Sequence, residues 1–300
     1  MKKSPPRLSR GISLSGARRK VFLLMAVGGL VALLAACLLH FLGSDARTLR
    51  AATYNVHYFQ GGAPEVERTI QGINADIVAL QEVALINGYS PATGMARRLG
   101  YGLVTSQPYV SYGSTQWVLA FFTRFPVLAR DEILLGRSRR ALRIVVDVDG
   151  EAVEFITLHL TPLAGPRSDS TDVRRRSEDR KNEIRDLIRW AGPPGKARLI
   201  LGDFNFLRGL PGFWLDEYSM LLEAGYEDAD GGWLPTNLDT FPIPESTRKS
   251  LAQSIPAIFL PEAITLDYLF TSALETLDTR TVLSNASDHY PLVGEFAMPP

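Results

Sequence analysis

A mixed α/β domain behind an apolar N-terminal segment is the fold class that this sequence predicts, and three observations carry it. From residue 49 onward short apolar runs recur, each cut off by a polar residue, as in Leu199-Ile200-Leu201-Gly202-Asp203; runs of that length bounded by glycine or a carboxylate read as buried strands. Between them lie segments whose apolar residues fall three and four apart, the spacing of a helix with one buried face. Asp149-Gly150, set between two apolar runs, signals a two-residue hairpin. Alternating helices and strands favour parallel neighbours and hairpins add antiparallel ones, so the sheet is mixed. With 300 residues, 46% apolar and 21% charged, the chain has room for a large core.

The elements follow in order. Leu49–Val56 reads as the first strand and delivers Asn55 at its end. Pro64–Asn74 has helical spacing, with Val66, Ile70 and Ile73 on one side. Asp76–Leu80 is a second strand that stops at Gln81-Glu82, and Met95–Leu99 is helical. Trp117–Phe122 is apolar throughout. Ala141–Val148 and Ala152–Leu160 form the hairpin pair, the second carrying His159. A loop over Thr161–Asp172 leads to a helix over Val173–Trp190, which holds Arg174, Arg175 and Arg176 among acids three or four residues away. Gly209–Gly212 breaks the chain after the Leu199 strand, and Phe213–Ala224 reads as a helix. Trp233–Ala263 is irregular and rich in Pro and Thr. Ile264–Thr271, containing Asp267, and Val293–Phe296 are the last strands. No internal repeat is present.

The first fifty residues differ in kind. Positions 1–20 hold seven Lys or Arg and no acid, and Val21–Leu39 follows as 19 uncharged residues, about the length of a bilayer-crossing helix. The basic flank places the N-terminus in the cytoplasm and residues 45–300 outside. Residues 21–42 are therefore expected to be a single-pass signal anchor at the cell membrane, with 43–48 as linker and 49–300 as the exported domain. Leu34-Ala35-Ala36-Cys37 also resembles a lipobox, which would lipid-anchor the chain at Cys37; ordinary secretory cleavage is a third reading, and all three export the domain. Cys37 is the single cysteine, so the domain has neither disulfides nor a catalytic thiol. Removing the seven N-terminal cations leaves 25 basic residues against 32 acidic, a formal charge near −7, which disfavours a grip on long nucleic acid through its phosphates. Nothing marks an obligate protein partner.

Chemistry concentrates where strands end. A carboxylate and an amide two residues apart, Asp203 and Asn205, leave one face of extended chain and suit a hard cation with its phosphate ligand. Glu82, His159 and the trio Ser287-Asp288-His289 repeat that strand-edge placement. The ordered set Asn55, Gln81-Glu82, His159, Gly202-Asp203-Phe204-Asn205, Asp267-Tyr268 and Ser287-Asp288-His289 closely resembles the endonuclease/exonuclease/phosphatase superfamily, over roughly residues 49–297. That superfamily includes pancreatic-type deoxyribonucleases, abasic-site endonucleases, neutral sphingomyelinases and inositol-phosphate 5-phosphatases.

The resemblance implies a four-layer α-β-β-α sandwich of two mixed sheets. It also implies a metal pocket of Asn55, Glu82 and Asp288, with Glu82 as the direct ligand to Mg²⁺ (or Mn²⁺ or Ca²⁺). Asp203 and Asn205 resemble the pair that holds the phosphate and its attacking water. His289 looks like the phosphate-contacting base or acid, oriented by Asp267, and His159 like the histidine that assists the leaving group. Two departures leave the metal set intact: Val118–Thr123 before Arg124 lacks a polar substrate contact of the family, and Thr265-Leu266 before Asp267 lacks a charge that would support Asp267. The expectation is a membrane-tethered phosphodiesterase whose substrate is a phospholipid or sphingolipid head group, with Arg174 as a possible substrate contact. An extracytoplasmic nuclease acting on nucleic acid or nucleotides, and a non-catalytic surface-anchored binding domain, are the alternatives.

Overall fold

The computed structural model describes residues 47–165, 168–208, 216–231, 239–246, 248 and 262–298. The segment 21–42 with Cys37, the break at 209–212, the start of the helix expected over 213–224 and most of the irregular stretch 233–263 lie outside the described residues. Among the described residues no helix is long and apolar enough to cross a membrane.

The chain opens with β1 (Thr48–Asn55), α1 (Ala63–Ile73), β2 (Ile77–Ile86), α2 (Pro91–Leu99), β3 (Gly102–Thr105), β4 (Val110–Tyr112) and β5 (Thr115–Thr123). It continues with β6 (Val127–Leu135), β7 (Arg139–Val148), β8 (Glu151–His159), α3 (Ser170–Ala191), β9 (Arg198–Asp203) and α4 (Glu217–Glu223). It closes with β10 (Glu227–Asp228), β11 (Phe241–Pro242), β12 (Ala263–Ile264), β13 (Asp267–Ser272), β14 (Glu275–Thr281) and β15 (Leu292–Ala297).

One sheet has the order β14-β15-β1-β2-β5-β3, with β4 also on β5; the second runs β10-β13-β9-β8-β7-β6, and β11 and β12 form a separate ribbon. Each large sheet contains one parallel pair, β1 with β2 and β8 with β9. Alternation along β1 explains the layering. Leu49 and Ala51 join Phe121, Phe155 and Leu201 between the sheets, whereas Ala52 and Tyr54 pack outward with Val66 and Ile70 of α1 and Met95 of α2. On the far side Ile184 and Leu187 of α3 and Leu221 of α4 cover Ile156, Ile200 and Phe270. The expected α-β-β-α sandwich is the observed one.

Three differences from expectation have physical causes. The strands β3, β4, β6 and β14 carry no long apolar run; β6 and β14 lie at sheet edges, largely exposed, and hold Arg130, Asp131, Asp278 and Arg280. Charges there block further pairing and hide the strand from an apolar-run criterion. β2 does not stop at Leu80. It continues to Ile86 through a register shift between Leu80 and Val83, with Glu82 at φ 55°. The strand expected over 264–271 is interrupted because the Thr240 hydroxyl accepts the N–H groups of Leu266 and Asp267, each at 3.1 Å.

Gly202 is required by a close approach. A Cβ at this position would lie 2.3 Å from the Leu158 carbonyl oxygen across the β8–β9 pair. Gly202→Ala is expected to destabilise the domain by about 1–3 kcal/mol or more, read from the urea midpoint.

Candidate active site

Both parallel pairs present their C-terminal ends at one edge, where open α/β sheets place ligands. The antiparallel β13 and β15 begin at that same edge, which is why residues near the end of the chain meet residues near its start. His159 stands opposite Asp203 in register, and Asp203 opposite Asp267, so three neighbouring strands line up a histidine and two carboxylates. Beneath them a buried bridge joins the sheets. Thr53 donates to Gln81 Oε1 (3.2 Å), and Gln81 Nε2 donates to Thr157 Oγ1 (3.0 Å).

Asp203 Oδ2 is the hub. It accepts from Asn55 Nδ2 at 3.0 Å and lies 3.4 Å from His159 Nε2 and 3.7 Å from His289 Nε2. Asn55 also donates to Glu82 Oε1 at 3.3 Å, so one amide holds two carboxylates, while its own oxygen accepts the His57 N–H. Glu82 reaches the site because the bulge in β2 turns it there at positive φ, a conformation that costs on the order of 1–3 kcal/mol and persists where surroundings hold it. Asn205 departs from the extended geometry expected of it. Asp203 Oδ1 accepts the Asn205 N–H (3.0 Å), an Asx turn that ends the strand and leaves Asn205 at φ 52°. Both side chains still line the same cleft.

The two histidines are held in opposite charge states. His289 Nδ1 donates to Asp267 Oδ2 at 2.7 Å. Burial opposes its charge, but the Asp267 and Asp203 carboxylates outweigh burial and raise its pKa to about 10. His159 is pushed well below the ordinary histidine range by burial first, then by Arg139 and His289. The Glu82 N–H donates to the Tyr109 hydroxyl (3.1 Å), which leaves that hydroxyl to donate to His159 Nδ1 (3.1 Å). That direction places the imidazole proton of His159 on Nε2, facing Asp203. Asp203 itself is raised to about 7, by burial above all and by Asp267 and Glu82 against the lowering charge of His289.

Whether a divalent cation fits can be judged from the donor set. Glu82 Oε2 and Asp267 Oδ1 are buried oxygens without a hydrogen-bond partner. Buried acceptors are normally satisfied, so two orphans beside the crowded Asp203 mark a place for a cation. One trio of ligand-type groups, Asp203, Asp267 and His289, presents atoms within 4.8 Å of one another among the described residues. His289 is already committed to Asp267 and protonated, whereas a ligating imidazole is neutral. The carboxylates of Glu82 and Asp203, both bonded to the Asn55 amide, offer the hard oxygen donors that such a cation prefers. Asp288, expected as a ligand, sits at the rim with 44% of its side chain exposed and 3.3 Å from His57 Nδ1. Arg174 is exposed on α3 and is not among the residues lining the cleft.

Tyr109 carried no readable signal, and Ser287 was legible only as part of the Ser287-Asp288-His289 motif. Tyr109 precedes a short edge strand and has no motif around it. Ser287 fixes the Asp288-His289 turn by donating to the Asn55 carbonyl (2.7 Å) and accepting the His289 N–H (3.2 Å). Tyr109→Phe is expected to lower kcat about tenfold with little change in KM, because it frees the His159 tautomer without touching substrate. The histidine ¹⁵N shifts would report the tautomer.

An edge of carboxylates and two buried imidazoles at the ends of two facing sheets is the site of a phosphoester hydrolase. The chain belongs to the Endonuclease/Exonuclease/phosphatase family, whose model matches residues 52–289. Enzymes of this family use divalent metal ions. No curated protein sequence matches this chain. Among solved structures it is similar to an endonuclease/exonuclease/phosphatase from Beutenbergia cavernae, at 18% identity and TM-score 0.64, over 84% of this chain and 72% of that one. It is also similar to the human Nocturnin catalytic domain with bound sulfate anion, at 17% identity and TM-score 0.60, over 84% and 94% of the two chains. Truncated Caenorhabditis elegans TDP2 matches at 17% identity and TM-score 0.55, over 85% and 100%. At these identities the likeness is one of fold.

Proposed function

We propose that the chain is a divalent-metal-dependent phosphodiesterase, tethered to the cell membrane by residues 21–42 with its cleft outside the cytoplasm. Its substrate is the head-group ester of a phospholipid or sphingolipid, and water attacks the phosphorus directly. One observation carries the catalytic reading: Asp203 Oδ2 gathers Asn55, His159 and His289 around a single buried carboxylate. The basic flank before an apolar run supports the tether.

Glu82 and Asp203 would hold the cation, with Asn55 fixing both; Asp288 lies at the rim, 3.3 Å from His57 Nδ1. When bound, the ion supplies positive charge against the charge that develops on the phosphoryl oxygens. Asp203, whose Oδ2 faces both imidazoles, is placed to take a proton from the attacking water. His289, a cation locked by Asp267, offers charge to a non-bridging oxygen and carries the transferable proton. His159, neutral, donates a hydrogen bond from Nε2 towards the phosphate or leaving oxygen. Asn205, turned into the cleft, orients substrate.

The nuclease reading draws on Arg174–Arg176. Arg175 pairs with Asp172 and Asp179, and none of the three lines the cleft. Release of head group or nucleotide from a panel of vesicle lipid, single-stranded DNA and double-stranded DNA, with Mg²⁺, Mn²⁺ or Ca²⁺, separates the readings. Turnover of lipid alone is expected; turnover confined to DNA overturns the lipid assignment.

A further inference from the structure

We infer that the cleft beside the catalytic edge is a subsite for the hydrocarbon portion of an amphiphilic phosphodiester. The inference rests on the phosphoesterase reading and names what flanks the phosphate. The cleft holds about 690 Å³, within the roughly 300–1,000 Å³ of small-ligand sites. Its polar lining is confined to the catalytic end, at Glu82, His159, Asp203, Asn205 and His289. Every other described lining residue is apolar, the wall being made chiefly by Leu163, Val173, Leu207, Phe241, Ile243 and Ile264.

Those six side chains are half-buried, so they leave hydrocarbon open to water inside a concavity. Such a surface gains free energy when an apolar ligand covers it. Four separate segments build it, Leu207 coming from the stretch after β9. The loop after β8 supplies Leu163, the first turn of α3 supplies Val173, and the β11–β12 ribbon pairs Phe241 with Ile264. The wall is continuous with the chemistry: the Phe241 ring meets the His289 ring edge-on, with centroids 5.0 Å apart. A phosphate placed at the His289 Nε2 edge therefore has one of its ester substituents against carbon.

A polynucleotide calls for a different lining, with Lys or Arg along its backbone and aromatic faces for its bases. No Lys or Arg is among the described residues lining this cleft, and Phe241 is the one aromatic carbocycle. A single phosphodiester bearing an aliphatic chain matches both ends of the cleft. The loop residues Thr161 and Pro162 that begin the wall are tied down by α3, Arg180 donating to both carbonyls (3.2 and 3.3 Å) and Glu183 accepting from Thr161. The subsite is thus preformed.

The test uses the full-length chain in lipid nanodiscs with Mg²⁺ and a series of alkyl 4-nitrophenyl phosphates, methyl to octyl, below their micellar concentrations. Burial of a methylene is worth about 0.8 kcal/mol, so kcat/KM is expected to rise about two- to fourfold per added carbon before levelling off. Ile264→Asp and Phe241→Ser, checked for folding by circular dichroism, are expected to flatten that rise. A flat profile in the wild type, or a higher kcat/KM for a short oligothymidylate than for the octyl ester, overturns the subsite. If no ester of any length is hydrolysed, the phosphoesterase reading fails. Calorimetric binding of octylphosphonate against methylphosphonate then decides the subsite separately, with at least tenfold tighter binding of the octyl compound supporting it and equal affinity overturning it.

Discussion

Asp203→Asn is expected to lower kcat by about 10²–10⁴-fold while raising the melting temperature of the metal-free protein. The two effects share one cause. Asp203 is 1% exposed and sits beside Glu82 and Asp267, so its charge is costly in the fold without a cation. Asparagine keeps the acceptor for the Asn205 N–H and removes the charge. A site strained for function commonly gains stability when the function is removed. The pH dependence has a definite sign. A carboxyl whose folded pKa is raised from the usual range to about 7 binds its proton more readily in the fold, so its contribution is present at low pH and is lost as pH rises through about 7. His289, raised to about 10, contributes stability that is fully present below about 6.5 and is lost as pH climbs towards 10. Metal-free wild type is therefore expected to lose more melting temperature than Asp203→Asn between about pH 4 and 7, and the loss due to His289 follows between about pH 6.5 and 10. Calorimetric scans in EDTA across these ranges check both; a melting temperature that rises with pH would contradict the assignment.

Arg180→Met carries the largest expected loss of stability, about 3–5 kcal/mol, the range for breaking a buried ion pair from one side. Arg180 and Glu217 are both fully buried, with Arg180 Nη2 2.7 Å and Nε 3.0 Å from Glu217 Oε1. Removing the cation strands Glu217, whose Oε2 already lacks a partner, and releases the Thr161 and Pro162 carbonyls. Activity is expected to fall too, because those residues follow His159 and begin the cleft wall. The double variant Arg180→Met with Glu217→Leu is expected to recover most of the stability, since an apolar pair of similar volume leaves no charge buried. Denaturant midpoints of the two single variants and the double variant separate loss of the pair from loss of packing. If Arg180→Met matches the double variant, Glu217 is not stranded.

Much of this site was legible because chemistry falls at strand ends. Asn55, His159, Asp203 and Asp267 each stand where an apolar run meets a polar residue, and the runs are visible because those strands are covered on both faces. Glu82 was legible as a residue but not as geometry, since nothing in Leu80-Gln81-Glu82-Val83 announces the bulge that turns it. Edge strands escaped notice for the opposite reason. Arg130-Asp131-Glu132 in β6 reads as loop until its pairing with β7 is known. Tyr109 and Thr240 act through long-range contacts, on His159 and Asp267, that no local pattern encodes. Charge states were likewise out of reach of sequence. The opposite protonation of His159 and His289 depends on which carboxylates surround each ring.

The central claim is that Glu82 and Asp203 hold a divalent cation that phosphodiester hydrolysis requires. The most direct measurement follows hydrolysis of methyl 4-nitrophenyl phosphate by the full-length chain after EDTA treatment, during readdition of Mg²⁺, for wild type and Glu82→Gln side by side. Wild type is expected to lose turnover in EDTA and regain it on readdition, while Glu82→Gln needs at least tenfold more Mg²⁺ for half of its activity. Turnover that survives EDTA, or identical Mg²⁺ curves for the two proteins, would contradict it.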